Sequence, residues 1–129
     1  MAVDDPSGHH GNGTLMQVWD SLTGVHGNEQ WKLVSHGSYD AVELADDTSV
    51  CLDVRNGGTA NGTQVQLWAC NGGADQKWLP LGGGQLEAVN ASSVRHLTVV
   101  LNDPDGHGNG TKLQIWQSNG GNPQFWAVP

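Results

Sequence analysis

Positive charge is scarce in this sequence, and it has no long apolar run. Five Lys and Arg residues stand against 13 Asp and Glu residues, which gives a formal net charge of −8. Nucleic acids and anionic membrane surfaces are therefore unfavourable partners, because their phosphates would be repelled. No apolar run approaches the roughly 18 residues of a membrane-spanning helix, so we expect a soluble protein without membrane insertion.

Charged residues, phenylalanine and tyrosine are also few, whereas glycine and tryptophan are abundant. Charged residues make up 14% of the chain, and six Trp stand beside one Phe and one Tyr. Disordered chains avoid tryptophan, so the 129 residues fit one folded domain with a modest core and many turns. Residues 1–5 lack the basic head and apolar stretch of a signal peptide. A signal peptide already removed and a domain cut from a longer protein are both compatible with this start.

An internal repeat organises the chain. The tripeptide Asn-Gly-Thr begins at Asn12, Asn61 and Asn109, at almost equal intervals. A Gln follows each Asn after five residues and a Trp follows each Gln after two, at Gln17, Gln66, Gln114 and Trp19, Trp68, Trp116. The other tryptophans, Trp31, Trp78 and Trp126, recur with nearly the same period. A period of roughly 48 residues indicates units that bury apolar faces against one another. We expect one domain, 1–129, with units of roughly 1–37, 38–84 and 85–129.

The units have the pattern of β structure. Residues 63–68 alternate polar and apolar side chains, which is typical of a half-buried strand. We predict further short strands around Leu52 and Val54 and at 42–44, 86–89 and 97–101. Clusters of Gly, Asn, Asp and Pro separate them. No segment has a convincing apolar stripe at helical spacing, so the pattern predicts an all-β domain.

Strand parity places one tryptophan series on the outside. Gln66 and Trp68 are two residues apart, so they project from the same face, opposite to the apolar residues between and before them. Cys51 and Cys70 are either free thiols or a single bridge. If they pair directly across a hairpin without a bulge, Asp53 lies opposite Trp68. Asp, Gln and Trp then converge on one shallow surface.

This combination of side chains suits a sugar. An indole offers a flat apolar face to the C–H surface of a pyranose ring. A carboxylate accepts hydrogen bonds from adjacent hydroxyls, at about 1.5–3 kcal/mol for a charged acceptor, and amides donate and accept at the remaining hydroxyls. A Trp packed under a loop and an Asp in a turn would explain one unit alone, but recurrence in three units favours ligand binding.

The motifs resemble the ricin B-chain type of repeat. They are Cys51-Leu52-Asp53-Val54, the segment from Asn61 to Cys70, and the Gln-x-Trp triplets at Gln76 and Gln124, with a weaker form at Glu29-Gln30-Trp31. The resemblance implies a β-trefoil in which three units close a barrel about a pseudo-threefold axis. It also implies a secreted, non-catalytic lectin or carbohydrate-binding module with a Cys51–Cys70 disulfide.

The resemblance assigns a site to each unit. The second site comprises Asp53 as the hydroxyl acceptor and Trp68 as the stacking aromatic, with Gln66, Asn71, Asp75 and Gln76 around them. The first site comprises Asp4, Gln17, Trp19 and Asn28. The third site comprises Asn102, Gln114, Trp116, Asn119 and Gln124. Asn102 cannot supply a charged acceptor and Pro123 replaces an Asn, so we rank the sites second, first, third.

Ligand identity and assembly stay open at this stage. Galactose-type sugars and xylan-type chains both occur as ligands in the resembling family, and several sites would bind a polymer multivalently. The first unit has no counterpart of the strands predicted at 42–44 and 86–89. We therefore expect either a homodimer formed through that edge or a domain trimmed from a longer protein, such as a glycoside hydrolase.

Two other classes of function are less well supported. Acid pairs such as Asp46 with Asp47 resemble hydrolase dyads, but neighbours on a strand point to opposite faces. We therefore predict no catalytic residues, no metal site and no cofactor. A protein-binding trefoil, as in protease inhibitors, would leave the outer tryptophans without a role. The four Asn-x-Ser/Thr sequons include Asn90, and the other three belong to the repeated turn, where Asn-Gly suits the backbone.

Overall fold

The computed structural model describes residues 2–4, 11–19, 31–45, 47–104, 111–119 and 124, and it consists mainly of short strands. The strands are β1 (Ala2–Asp4), β2 (Gln17–Trp19), β3 (Trp31–Ser35), β4 (Asp40–Leu44), β5 (Asp47–Val54), β6 (Val65–Ala69), β7 (Trp78–Pro80), β8 (Leu86–Ala88), β9 (Val99–Asn102) and β10 (Gln114–Gln117). One helix, α1 (Val89–Arg95), lies between β8 and β9.

The strands pair as antiparallel hairpins that repeat along the chain. β1 pairs with β2, β5 with β6, and β9 with β10, so each unit carries one equivalent hairpin. β3 pairs with β4 and β7 with β8, and these pairs join each unit to the next. In the described part of the chain the first unit contributes β1 to β3, which correspond to β5 to β7, and no described strand there corresponds to β4. The homodimer and the longer parent protein stay predictions.

A ring of three backbone hydrogen bonds closes the units around a common axis. The N–H of Met16 donates to the carbonyl of Val65 at 2.8 Å, that of Val65 to Leu113 at 3.2 Å, and that of Leu113 to Met16 at 2.9 Å. These three residues recur along the chain with the same period as the Asn-Gly-Thr motif. The hydrogen-bonding cycle therefore agrees with the pseudo-threefold β-trefoil that the resemblance implies.

Two tryptophans of the second series, Trp31 and Trp78, lie in or against the core. Trp78 is fully buried, and its Nε1–H donates to the carbonyl of Leu52 at 3.0 Å. Trp31 packs against the same cluster and donates to the carbonyl of Val3, also at 3.0 Å. Because Leu52 and Val3 occupy equivalent strand positions, the two tryptophans fasten their units in the same way. Trp126 lies outside the described residues.

Helix α1 was not expected from the sequence. Its seven residues make about two turns, and Ala91 alone among them is buried, so there is no apolar stripe to recognise. It ends at His96, whose left-handed conformation (φ 56°) stops the helix. As a consequence β8 ends at Ala88 and β9 begins at Val99, a shorter and a later strand than predicted. Among the described residues no helix is long and apolar enough to cross a membrane.

Candidate functional site

The second site is built on the hairpin of β5 and β6. In its register Asp53 lies opposite Gln66, and Cys51 lies opposite Trp68. The expectation that Asp53 faces Trp68 is therefore wrong by two residues, although all four side chains share the outer face. The error arises because Cys70 lies beyond the end of β6, so the disulfide that joins it to Cys51 runs diagonally instead of linking opposed residues.

A buried hydrogen-bond network fixes the carboxylate of Asp53. Asp53 is 2% exposed, and its Oδ1 accepts from Nε2 of Gln66 at 2.8 Å. Its Oδ2 accepts from Nε2 of Gln76 at 3.1 Å. Gln76 is also buried, and it donates to the carbonyl of Ala69 and accepts the N–H of Asn71. Each oxygen of Asp53 is thus held by an amide from a different part of the unit.

The environment of Asp53 raises the pKa of its carboxyl group. Burial raises the pKa of its carboxyl group above the ordinary value of 3.8. Hydrogen bonds from Gln66 and Gln76 lower the pKa in part, and the neighbouring Asp75 raises it again, so the net direction is upward. The carboxyl group of Asp53 therefore takes up a proton at higher pH than an Asp side chain in water does.

Asn71 and Asp75 border this network near the surface. Asn71 is exposed, and its Oδ1 accepts the N–H of Gly73 at 2.8 Å. A methyl group at Gly73 would come within 2.9 Å of both Asn71 Oδ1 and Asp75 Oδ1. Glycine at this position therefore lets the amide and the carboxylate approach the same turn, a requirement that sequence reasoning missed.

Trp68 supplies an exposed flat surface beside the network. The indole is 39% exposed, whereas Val65 and Leu67 on the opposite face of β6 are fully buried. The predicted division of this strand into a core face and an outer face holds for Val65, Leu67 and Trp68, whereas Gln66 on the outer face is buried. The arrangement combines a flat apolar surface with a carboxylate that accepts hydrogen bonds.

The third site repeats the arrangement without the charge. Asn102 lies opposite Gln114, as Asp53 lies opposite Gln66, and Trp116 is 37% exposed. Gln124 is fully buried; it accepts the N–H of Asn119 at 2.9 Å and donates to the carbonyl of Gln117 at 3.0 Å. These two hydrogen bonds match the bonds of Gln76 to Asn71 and Ala69, so each of the two units has its own buried supporting amide.

The first site is described only in part. Asp4 lies opposite Gln17 in the register of β1 and β2, which is the same pairing as in the other units. The structure describes the backbone of Asp4 and Trp19 but not their side chains, and Asn28 lies outside the described residues. Gln17 is buried, and Lys112 of the third unit donates to its Oε1 at 3.3 Å.

Sequence reasoning also missed a contribution from the neighbouring unit. Asn12 of the first unit accepts the N–H of Ala69, the residue after Trp68, at 2.7 Å. The Asn-Gly-Thr motif repeats with the same period as the tryptophans, which could have indicated this contact. From the sequence, however, we interpret the motif only as a turn.

Several solved structures share this fold. A designed threefold-symmetric protein, ThreeFoil, matches with 25% identity and a TM-score of 0.82 over 96% of this chain and 86% of its own. An agglutinin from Abrus precatorius matches with 19% identity and a TM-score of 0.80 over 97% of this chain. An exo-β-1,3-galactanase from Clostridium thermocellum matches with 23% identity and a TM-score of 0.77 over 96%. This chain spans 43% of the agglutinin chain and 26% of the galactanase chain.

A family model accounts for nearly the whole sequence. The model of the ricin-type beta-trefoil lectin domain matches residues 1–126. This range includes all three sites and both tryptophan series. Domains of this family generally bind carbohydrate without catalysing a reaction. The chain belongs to the ricin-type β-trefoil lectin domain family.

Proposed function

We propose that this chain is a non-catalytic carbohydrate-binding module or lectin with one shallow site in each unit. The observation that carries the proposal is the second site, where Asp53 is held by Gln66 and Gln76 on the same face as the exposed Trp68. The third site repeats the geometry with Trp116. Recurrence of an exposed indole on the same face as a buried polar side chain, Asp53 or Asn102, favours a ligand over accidental exposure.

The side chains of the second site divide into two roles. Trp68 offers the stacking face, and Asp53 accepts hydrogen bonds from two neighbouring hydroxyls. Asn71 is exposed at the rim and supplies a further polar contact. Gln66 and Gln76 are buried and donate to Asp53, so we assign them to orienting the carboxylate rather than to the main contacts with sugar.

Galactose-type sugars are the ligands that we propose, with xylan-type chains as the alternative. One of the similar solved structures is an exo-β-1,3-galactanase, which supports the first choice. A carboxylate that accepts from two adjacent hydroxyls suits either ligand. We rank the second site above the first and the first above the third, because Asn102 brings no charge to the third.

A binding role suits the described carboxylates better than catalysis does. Asp47, of the pair Asp46–Asp47, accepts both the N–H and the hydroxyl of Ser49 through Oδ1, which is the pattern of a turn. Asp46 lies outside the described residues. The Cys51–Cys70 disulfide supports an extracellular location, and we extend the proposal to secretion, alone or beside a parent glycoside hydrolase domain.

Retention on immobilised sugar tests the proposal. Wild type is passed over lactose-agarose and over insoluble xylan and compared with the double variant Trp19→Ala/Trp68→Ala. The control is Val94→Ala/Leu97→Ala, which removes two exposed apolar side chains elsewhere on the surface. We expect retention to collapse in the tryptophan variant only. Wild type that passes both matrices freely, or equal retention of all three proteins, would contradict the proposal and favour a protein-binding trefoil.

A further inference from the structure

The Asn-Gly-Thr turns of the first and second units contact the strand that carries the outer tryptophan of the next unit. Asn12 Oδ1 in the first unit accepts the N–H of Ala69 in the second at 2.7 Å. Asn61 Oδ1 in the second unit accepts the N–H of Gln117 in the third at 2.9 Å. Ala69 and Gln117 directly follow Trp68 and Trp116. Two independent copies of the turn therefore make the same contact.

The glycines of the first and second turns leave the space beside the outer indole of the next unit free of a side chain. Gly13 and Gly62 have φ values of 87° and 91°, which favour glycine. A methyl group at Gly13 would lie 4.0 Å from Cζ3 of Trp68, and one at Gly62 would lie 4.0 Å from Cζ3 of Trp116. A side chain placed at either glycine would thus begin within van der Waals range of the outer tryptophan of the next unit.

The internal bonds of the turn do not require the Asn side chain. Thr14 Oγ1 donates to the carbonyl of Gly11, and Thr63 Oγ1 donates to the carbonyl of Ala60, within their own turns. The carboxamide oxygens of Asn12 and Asn61 instead leave the turn and bond to the neighbouring unit. An Asn that served only its own turn would bond locally.

We propose that the Asn-Gly-Thr turns position the stacking tryptophans, so that each described site is assembled from two successive units. Asn12 and Gly13 are positioning residues for Trp68, and Asn61 and Gly62 are positioning residues for Trp116. The inference rests on the proposed function and adds the residues that hold its aromatic surface in place. Anchoring the N–H after the tryptophan fixes the backbone that carries the indole, which lowers the ordering needed when a sugar binds.

Crossed effects of two matched variants test the inference. Asn12→Ala removes one inter-unit hydrogen bond, from the N–H of Ala69. Asn61→Ala removes two, from the N–H of Gln117 and from Nη1 of Arg95. Lactose binding is followed separately at the Trp68 and Trp116 indole N–H signals by NMR titration. We expect Asn12→Ala to weaken the second site about fivefold and to leave the third within twofold, from the usual net value of one hydrogen bond. Asn61→Ala should do the reverse. Asn12→Asp keeps an oxygen acceptor and should restore most of the affinity.

The possible outcomes separate the inference from the function beneath it. Equal weakening of both sites by either variant, or no weakening at all, would overturn the positioning role while wild type still binds. Failure of wild type to bind lactose or xylotetraose at either indole would overturn the proposed function and the inference with it. An Asn12→Asp variant as weak as Asn12→Ala would show that the acceptor oxygen is not what matters and would also overturn the inference.

Discussion

Asp53 is the residue on which we expect binding at the proposed second site to depend. Its carboxylate is buried and accepts hydrogen bonds from two amides, and its pKa is raised, chiefly by burial. The equivalent position in the third unit is Asn102, which pairs with its own Gln in the same register. The two units thus offer a natural comparison of a charged and a neutral acceptor.

Replacement of Asp53 by Asn should weaken the second site strongly. Hydrogen bonds to a charged acceptor contribute about 1.5–3 kcal/mol, so we expect a loss of roughly 10-fold to 100-fold in affinity. Isothermal titration with lactose in a Trp19→Ala/Trp116→Ala background isolates the site. Asp47→Asn, which changes a turn carboxylate in the same strand, is the control and should bind normally. Affinity unchanged by Asp53→Asn would remove the carboxylate from the site.

The raised pKa of Asp53 predicts how binding and stability respond to acid. Sugar hydroxyls need the ionised form, so affinity should fall as the pH decreases through a value above 3.8. The folded chain takes up this proton at higher pH than the unfolded chain does. The contribution of the group to stability is therefore full below 3.8 and is lost as the pH rises through the raised pKa.

Urea unfolding from pH 3 to pH 7 measures that contribution. Relative to wild type, Asp53→Asn should gain stability as the pH rises, because it avoids burying the charge. Asp47→Asn provides the matched comparison. A stability difference between Asp53→Asn and wild type that moves the other way would mean that burial does not raise this pKa.

Sequence reasoning at the residue scale succeeded where it needed parity alone. A two-residue spacing places Gln66 and Trp68 on one face whatever the partner strand does. To predict the residue opposite Asp53, the register between β5 and β6 must be known. The disulfide is a poor guide to that register, because it joins Cys51 to a residue beyond the end of β6. The burial of Gln76 depends on a turn that folds back over the hairpin. No local sequence pattern predicts its contacts with Asp53 and Ala69.

At the scale of elements, the hairpins of the second and third units differ in one disulfide bond. Cys51 and Cys70 are joined in the second, and the equivalent positions of the third are Val100 and Ser118. Ser118 Oγ accepts from Gln85 instead, at 2.8 Å. The N–H groups of Cys70 and Ser118 donate to Ser49 and Thr98 in the same manner. The hairpin geometry thus forms without the disulfide.

Replacing the two cysteines by the residues found at the equivalent positions of the third unit should lower stability without weakening sugar binding. For Cys51→Val/Cys70→Ser we expect a loss of about 3 kcal/mol in the free energy of unfolding, on the chain-entropy estimate for a closed loop of this size. Urea titration measures the loss, and lactose affinity at the Trp68 signal should stay within about twofold. Loss of binding with the fold intact would show that the disulfide shapes the site directly.

Elements with strong alternation were predictable, and the irregular one was not. The alternation at 63–68 predicts the strand observed at Val65–Ala69, although its burial does not alternate, because Gln66 is buried between Val65 and Leu67. Helix α1 offers one buried residue in seven, and its last residue, Arg95, hydrogen-bonds to Asn61 of the neighbouring turn at 2.7 Å. Tertiary contacts of this kind, rather than helical periodicity, set where the segment folds.

At the scale of the whole molecule, the repeat joins the three units. Backbone hydrogen bonds among Met16, Val65 and Leu113 link one residue of each unit in a ring. Sites placed around one axis suit branched or surface-arrayed glycans. The nearly constant period of the repeated motifs predicted units that bury their apolar faces against one another, and the resemblance supplied the closed, threefold arrangement.

Multiple sites should make polymer binding far tighter than monosaccharide binding. Linked sites gain through effective concentration, and we expect at least about a hundredfold difference between a lactose-bearing surface and free lactose. Surface plasmon resonance of wild type and of the Trp19→Ala/Trp116→Ala variant compares several sites with one. Equal affinity of the two proteins for the surface would mean that a single site operates.

The two tryptophan series are predicted to have different roles, and indole NMR tests this central claim most directly. A ¹⁵N-labelled protein is titrated with lactose and, separately, with xylotetraose, and the six indole Nε1–H signals are followed. We predict that Trp68 shifts most and Trp116 less, while Trp78 and Trp31, whose N–H groups bond to core carbonyls, stay in place. Signals of Trp68 and Trp116 that do not move with either sugar, or shifts confined to the core series, would contradict the claim.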